Sequence, residues 1–566
     1  MEITKISQQV EISEASYVDF RAAIKSDGSY DADKVKTALI TGGFSLIQAE
    51  DFASDWRVAN HLPNTSAGFS ATVFESVDNP GEYTLAIRGT EPGAQWGTDL
   101  TLADIAVIGA DGIALSQAID LFNYYQQLIT AEGQQAVQYE VYEGILPPPQ
   151  GAVYIQLDTG SGPLSAPMYR YLEVSDLADG LGVIPDGTMI DVTGHSLGGH
   201  LALIMSRLDP ARINDVHTYN APGFDTGIIG SDDTEWFFSA MAQAETSATG
   251  STTVGSAFPD TKINNLVVPE DLASDIGFLP GGVIEHFSEV STASGLHSIF
   301  SSHSITGVVD ALAVYNLLTG IDPTADFTRL TPILEAASVE SENSLESVVQ
   351  NITELFSVPV TLITDGREQL HHSLQAIETK LFVDRNAANP ILKQEYQNLQ
   401  IIDLSDDTQQ QLVDGANEQL AIRYALTHLD PFAVTGSDDL FIPHNQNGEL
   451  DIYNKDTHEG TLTENYLQDR AEFLILLNQG GLTDASVRGE TIEFFDKIND
   501  ELAHYDNTKG GDRSRYHFGS NSNDRLEGAR NEDHLYGGAG DDTLKGNGGA
   551  DYLAVKMSSM RVAVTI

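Results

Sequence analysis

The sequence contains no cysteine, and only 29 of its 566 residues are lysine or arginine. Without cysteine, disulfide bonds and thiolate metal sites are excluded. The basic residues face 83 aspartates and glutamates, which gives a formal net charge of −54. Such an acidic chain repels the phosphates of nucleic acids and resists anionic membrane surfaces, so no nucleic-acid partner is expected. An acidic balance suits a soluble protein or one that binds calcium.

Two kinds of apolar segment are also missing. No run of about 18 apolar residues predicts a transmembrane helix, so no transmembrane segment is expected. The opening stretch, MEITKISQQVEISEASYVDF, lacks the basic start and the apolar core of a secretory signal peptide. Composition alone therefore favours a soluble chain, and its length predicts roughly two to four domains.

The most informative stretch surrounds a serine between glycines, TMIDVTGHSLGGHLALIMSRL, at residues 188–208. The β-branched and apolar residues before the serine predict a buried strand, and the apolar residues after it recur at helical spacing. Ser196 therefore stands on a sharp strand-to-helix corner, where Gly194 and Gly198 relieve crowding. The start of the helix faces any negative charge that develops there. This position is typical of a nucleophile, and a capping serine in a glycine turn is the structural alternative.

A serine nucleophile needs a general base within hydrogen-bond reach. In this architecture the base, a histidine, follows the serine along the chain. His303 directly precedes an apolar helix and is preferred as the base, with His297 as the alternative. His200 lies on the helix after the serine and is expected to be structural.

The base needs an acid that orients it. Residues 263–268 predict a strand that ends at a proline, and Asp271 follows just beyond that end. Asp271 is the preferred acid and Asp275 is the runner-up. Asp225 and Asp260 stay open as further alternatives.

The oxyanion of an acyl-transfer reaction needs hydrogen-bond donors. The stretch LAIRGTEPG, residues 85–93, follows a predicted strand and contains a glycine that permits a tight backbone. Thr90 could supply both an N–H and a hydroxyl. The N–H of Leu197, directly after the serine, is the expected second donor.

Strands and helices alternate through the first part of the chain, which predicts an α/β domain with a mostly parallel sheet. We assign this domain to residues 1–325, with its core at 70–325 and a lid expected within 105–150. Residues 326–510 are richer in Gln, Glu, Leu and Ala, and they predict a mainly helical connecting domain. Residues 554–566 form a tail.

Near the C-terminus the sequence repeats every nine residues. Aspartate, leucine and glycine recur in phase over residues 519–553. Three residue types that repeat with the same nine-residue period predict a short parallel β-roll. Each turn of such a roll presents backbone carbonyls and one carboxylate to Ca²⁺. The expected calcium-binding residues are Asp524, Asp533, Gly537, Gly538, Gly540, Asp542, Gly546, Gly549 and Asp551. Without calcium this segment is expected to be disordered, and a flexible acidic linker is the alternative.

Together these motifs resemble two known families. The set IRGT, WGTDL, TGHSLGG, YNAPG and HSI before an apolar helix resembles the class 3 lipases, which are α/β-hydrolases, over roughly residues 70–325. The nine-residue repeats are similar to the RTX repeats of bacterial proteins exported by type I secretion. Residues 429–474 are also similar to the middle region of large bacterial RTX lipases.

The resemblance implies a Ser-Asp-His triad, an oxyanion donor at Thr90 and hydrolysis of carboxylic esters with a lid over an apolar pocket. It further implies a secreted bacterial triacylglycerol lipase with structural Ca²⁺, which acts on lipid or other esters at an interface. Type I export machinery is an expected partner where the native C-terminus is complete. A phospholipase A-type enzyme, another carboxylic or polyester esterase, and a calcium-dependent surface-binding protein on an inactive hydrolase fold are the alternatives.

Overall fold

The computed structural model describes most of the chain in two units. The first unit extends to residue 312, and the main body of the second begins at residue 313. The described residues are 3–90, 113–157, 167–224, 231–268, 278–285, 303–338, 344–360, 366–386, 388, 393, 396–484, 491–498, 501–506, 513–520 and 522–555.

The first unit is built on a seven-stranded sheet with a separate three-stranded sheet. The strands in chain order are β1 (Trp56–Leu62), β2 (Ala71–Ser76), β3 (Tyr83–Ile87), β4 (Gln135–Gly144), β5 (Tyr154–Leu157), β6 (Met168–Asp179), β7 (Ile190–His195), β8 (Ile213–Tyr219), β9 (Ile263–Val267) and β10 (Gly282–Glu285). The large sheet has the order β1-β2-β3-β7-β8-β9-β10. Its first three strands pair antiparallel, and β3-β7-β8-β9-β10 pair parallel. The predicted α/β fold with a mostly parallel sheet is therefore confirmed.

Helices surround this sheet and bury its apolar residues. They are α1 (Ile3–Ala15), α2 (Ala32–Thr41), α3 (Leu46–Asp55), α4 (Leu115–Ile129), α5 (Leu197–Leu208), α6 (Ser231–Thr249) and the beginning of α7 (Ile305–Ile321), with 3-10 turns at Arg21–Ala23 and Asp260–Lys262. Residues of α7 from 313 onward belong to the second unit. The predicted stripe on α5 is buried, as Leu201, Ile204 and Leu208 show. The helix ends before the Asp-Pro pair, as expected.

The segment between α4 and β7 is more regular than its proline and glycine content indicated. Strands β4, β6 and β5 form an antiparallel sheet in that order. Phe122 and Tyr125 of α4 are fully buried, so this helix belongs to the core. Residues 105–112 of the expected lid lie outside the described residues, and the lid stays a prediction.

The second unit begins with helices and ends in short strands. Its helices are α8 (Phe327–Ser338), α9 (Ser344–Leu355), α10 (Gly366–Arg385), α11 (Gln409–Glu418), α12 (Leu420–His428) and α13 (Glu464–Asn478), with a 3-10 helix at Asp438–His444. Its strands are β11 (Gln400–Asp403), β12 (Phe432–Thr435), β13 (Leu482–Asp484), β14 (Ile492–Asp496), β15 (Glu501–Asp506), β16 (Ser514–Phe518), β17 (Arg525–Glu527), β18 (His534–Tyr536), β19 (Thr543–Lys545) and β20 (Tyr552–Ala554). Sequence analysis missed β11 to β15; the domain boundaries proposed for this region stay predictions.

The nine-residue repeats form two parallel layers. One layer pairs β17 with β19, and the other continues β14 and β16 into β18 and β20. Leu526, Leu535 and Leu544 are buried between these layers, as the repeat pattern predicts. Asp469 of α13 accepts hydrogen bonds from the His534 ring and the Tyr536 hydroxyl, each at 2.5 Å, so the helix holds one layer in place.

Among the residues described, none of the helices combines the length and apolar character that crossing a membrane requires.

Candidate active site and calcium-binding repeats

Ser196 occupies a strained corner between β7 and α5. Its backbone has φ +57° and ψ −130°, a conformation that is rare for a residue with a side chain. Its N–H donates to the Tyr219 carbonyl at 2.9 Å, which fixes the corner against the end of β8. The strand-to-helix corner predicted from the glycine spacing is therefore present at Ser196.

The glycines around the serine are required because backbone segments meet there. A Cβ on Gly198 would collide with the Ile87 carbonyl oxygen and would lie 2.9 Å from the Gly89 nitrogen. A Cβ on Gly194 would collide with the Gly198 carbonyl oxygen. The corner can therefore approach the end of β3 only without side chains at these two positions.

We expect Gly198→Ala to destabilise the first unit by about 1–3 kcal/mol, because the new methyl group forces the corner away from β3. Urea unfolding of the variant should show a lower midpoint than wild type. Gly282→Ala in β10 of the first unit is the matched control, because a Cβ there would meet only the Ile263 carbonyl oxygen, at an ordinary 3.9 Å, among the described residues. Equal stability of the two variants would contradict the steric explanation of the corner.

The structure brings His303 to the serine. The His303 Nε2 atom lies 2.7 Å from the Ser196 Oγ atom, within hydrogen-bond distance. Ser196 is buried and the His303 side chain is partly exposed. An imidazole in this position can accept the serine proton.

A second histidine stands behind His303. The His195 Nε2 atom lies 2.6 Å from the His303 carbonyl oxygen, and the His195 Nδ1 atom lies 2.9 Å from the Tyr17 hydroxyl. Burial lowers the pKa of His195 well below its usual value, and the nearby His303 adds to the effect. Burial also raises the pKa of Tyr17. Both groups are therefore neutral near pH 7, and sequence reasoning missed both of them.

The expected oxyanion donors lie on the other side of the serine. Gly89, at the carboxyl end of β3, comes close enough that its added Cβ would lie 3.3 Å from the Ser196 Cβ atom. Thr90 follows directly and is partly buried. Leu197 is the first residue of α5, so its N–H has no carbonyl partner within the helix. Their roles as donors stay predictions.

The acid remains a prediction. Asp271, Asp275, Asp225 and the alternative base His297 lie outside the described residues. Val268 is the last described residue before Asp271 and Asp275, and its N–H donates to the side-chain oxygen of Asn220 at 3.0 Å.

Asp260 is described, and it lies in the 3-10 turn before the amino end of β9. Ser196 follows the carboxyl end of β7, which runs parallel to β9 with β8 between them, so Asp260 belongs to the opposite edge of the sheet. This position disfavours Asp260 as the acid.

His200 is a core residue, as its place on the helix predicted. It is fully buried, its Nδ1 atom lies 3.2 Å from the Pro222 carbonyl oxygen, and its ring contacts Phe224. Burial lowers the pKa of His200 to about 4. This histidine therefore stays neutral and packs against the loop after β8.

The repeats have the features that calcium binding requires. The Asp542 carboxylate is buried, and its Oδ2 atom has no hydrogen-bond partner among the described residues. Gly549 has φ +123°, and a Cβ there would collide with the Asn531 carbonyl oxygen of the preceding turn on that side. Neighbouring turns therefore face each other through bare backbone and an unpaired carboxylate oxygen, which fits a Ca²⁺ ion.

Acidic side chains alone do not form the site. In the part of the chain that the structure describes, no group of three or more metal-binding side chains comes together. This agrees with repeats whose turns supply mainly backbone carbonyls. Burial raises the pKa of both Asp533 and Asp542, and nearby Asp551 and Asp524, respectively, add to the effect.

The carboxylate of Asp524, in the first turn of the roll, forms an ion pair with a lysine of the same chain. The Lys497 Nζ atom lies 3.0 Å from the Asp524 Oδ1 atom, and the Ser520 N–H donates to Oδ2 at 2.6 Å. Burial opposes ionisation, yet these contacts hold the pKa of Asp524 below its usual value. The lysine therefore neutralises one carboxylate at the start of the roll.

Comparison with known families identifies this C-terminal segment. Residues 518–553 match the RTX calcium-binding nonapeptide repeat in four copies. The segment is an RTX repeat array. RTX repeats of this kind bind calcium.

No curated protein matches the chain. Solved structures that resemble it include the Lip2 lipase from Yarrowia lipolytica, with 12% identity and a TM-score of 0.24 over 51% of this chain and 81% of that one. The Rhizomucor miehei lipase–propeptide complex has 13% identity and a TM-score of 0.23 over 54% of this chain and 77% of its own. A triacylglycerol lipase from Penicillium expansum has 11% identity and a TM-score of 0.21, with 50% and 79% covered.

Proposed function

We propose that the protein is a secreted serine hydrolase that cleaves fatty-acyl esters of lipids. The observation that supports this proposal most strongly is the 2.7 Å separation of the His303 Nε2 and Ser196 Oγ atoms at a strained strand-to-helix corner. A nucleophile hydroxyl with a base in hydrogen-bond reach is the minimal apparatus of acyl transfer.

In the proposed reaction, the Ser196 oxygen attacks the ester carbonyl while His303 takes the hydroxyl proton. The tetrahedral oxyanion is held by N–H donors, for which Thr90 and Leu197 are the candidates. The C–O bond to the alcohol breaks, and the His303 imidazolium gives its proton to the leaving oxygen. His303 then deprotonates a water that attacks the acyl-enzyme carbonyl. The bond to the Ser196 oxygen breaks, the His303 imidazolium returns the proton to that oxygen, and the fatty acid is released. Asp271 is proposed to orient the imidazole.

A lipid substrate is supported by apolar side chains on the surface of the first unit. Ile145 and Leu146, directly after β4, are 65% and 60% exposed, and Val174 and Leu177 of the paired strand β6 are also exposed. We take these exposed apolar side chains along β4 and β6 as the candidate surface that meets lipid. Ca²⁺ is proposed to stabilise the folded repeats rather than to take part in the reaction. Secretion is proposed because repeats of this type are common in bacterial proteins exported by type I secretion.

The test measures fatty-acid release from a triglyceride emulsion, a phosphatidylcholine dispersion and a short soluble ester, each with calcium. We expect release from the triglyceride emulsion to exceed that from the other two, because a lipase acts at an interface. Preference for phosphatidylcholine would favour a phospholipase, and preference for the soluble ester without an increase at an interface would favour another esterase.

A fluorophosphonate probe separates these enzymes from an inactive hydrolase fold. We expect the probe to label Ser196. Failure of both hydrolysis and labelling would leave a calcium-dependent surface-binding protein as the better explanation.

A further inference from the structure

We infer that Tyr17 and His195 are positioning residues for His303, and that the N-terminal helix α1 thereby holds the base against the serine. This inference rests on the proposed function of Ser196 and His303. Tyr17 and His195 are neither the nucleophile nor the base. They form a chain of hydrogen bonds that runs from Tyr17 through His195 to His303.

The hydrogen-bond chain has only one consistent arrangement of protons. The carbonyl oxygen of His303 can only accept, so the His195 Nε2 atom, 2.6 Å away, must carry a proton. In a neutral imidazole the other nitrogen then has no proton. The His195 Nδ1 atom therefore accepts from the Tyr17 hydroxyl at 2.9 Å. The Tyr17 oxygen in turn accepts from the backbone N–H of Gly89.

Burial keeps this arrangement in place. His195 is 5% exposed, and a charged imidazole there would lose its hydration and face His303. The two imidazole rings also contact each other, with centroids 4.8 Å apart. The neutral His195 ring thus fixes both the backbone of His303 and one side of its imidazole.

Helix α1 itself contacts the segment that follows His303. The Thr306 hydroxyl, three residues after His303, donates to the Glu14 carboxylate at 3.4 Å. Glu14 is itself buried near the end of α1. Tyr17, two residues after α1, therefore reaches the base through His195, and Glu14 of α1 contacts Thr306 at the start of α7. A base held on both sides stays within reach of the Ser196 hydroxyl.

Tyr17→Phe removes only the hydroxyl that donates to His195. We expect kcat on a soluble ester to fall about tenfold or more with KM within about twofold, because the loss affects alignment rather than substrate binding. His195→Phe should lower kcat further. His195→Gln should recover part of the loss, because its amide N–H can reach the His303 carbonyl.

The matched control is Tyr124→Phe, which removes another buried hydroxyl of the first unit, hydrogen-bonded to Asn60 at 2.7 Å. It should lower the melting temperature as much as Tyr17→Phe does and leave kcat unchanged. Histidine ¹⁵N NMR provides a second readout. In wild type, His195 should show the neutral tautomer with the proton on Nε2, and in Tyr17→Phe this signature should change.

Wild-type kcat in both Tyr17→Phe and His195→Phe would overturn the inference, and so would equal losses in Tyr17→Phe and Tyr124→Phe. If the wild-type protein neither hydrolyses esters nor reacts with a fluorophosphonate, the proposed function has failed instead. The NMR signature then still decides whether the hydrogen-bond chain exists. A His195 proton on Nδ1 would show that it does not.

Discussion

Ser196→Ala is expected to lower ester hydrolysis by at least about 10⁴-fold, because alanine has no side-chain oxygen that could form the acyl-enzyme at this position. The fold should persist. Alanine and serine have the same backbone restrictions at φ +57°. The backbone N–H at position 196 would still donate to the Tyr219 carbonyl oxygen. The measurement is fatty-acid release at saturating substrate, together with the melting temperature of the same preparation.

The matched control for this variant is Ser206→Ala on the same helix. The Ser206 hydroxyl is fully buried and donates to the Leu203 carbonyl at 2.6 Å, so its loss tests the effect of removing a serine oxygen from α5. Ser206→Ala should keep wild-type turnover and fluorophosphonate labelling. Labelling that persists in Ser196→Ala would place the nucleophile on another residue and would refute the assignment.

The corner that contains Ser196 was predictable because all of its determinants are local. Strand β7, the serine and helix α5 follow one another within residues 190–208, and the glycines that permit their contact stand two positions on either side of the serine. The position of His303 was also predictable, because the apolar helix that begins at Ile305 marks the preceding turn. The repeats were predictable for a similar reason, since their period is nine residues.

The hydrogen-bond chain behind the base was not predictable in the same way. Tyr17 and His195 lie 178 residues apart in sequence, and nothing in either local pattern connects them. His195 could be interpreted only as a strand residue, because its function depends on a carbonyl oxygen 108 residues further on. Contacts of this kind come from the packing of α1 against the sheet, which a periodicity does not encode.

Strands β13 to β15 escaped sequence analysis for another reason. They are only three to six residues long, and they pair with one another and, through β14, with β16 just before the repeats. Phe494 of β14 is fully buried against Phe473 of α13, with the rings stacked at 5.3 Å. Such short strands are stabilised by pairing with one another and by packing on α13, and their composition alone did not distinguish them from the surrounding helices.

Removal of calcium is expected to unfold residues 519–553 while the first unit keeps its structure. The roll buries only a narrow row of leucines, and the Asp542 carboxylate is buried with one oxygen unpaired among the described residues. A carboxylate in that position is costly without a cation. Hydrogen exchange measured with calcium and with chelator should show loss of protection in the repeats. Far-UV circular dichroism should show only a partial loss of strand signal, because the strands of the first unit remain folded.

Asp542→Asn tests the role of that one carboxylate, and Asp541→Asn is its matched control. Asp541 is exposed and adjacent, so both variants remove one charge from the same turn, but only one removes the buried oxygen. We expect Asp542→Asn to need about tenfold or more calcium to protect the repeats, whereas Asp541→Asn should follow wild type apart from a small charge effect. An equal shift in both variants would mean that calcium is held by the general negative charge of the segment. A selective shift would assign the ion to the facing turns, where Lys497 already neutralises the first carboxylate and the later turns depend on calcium.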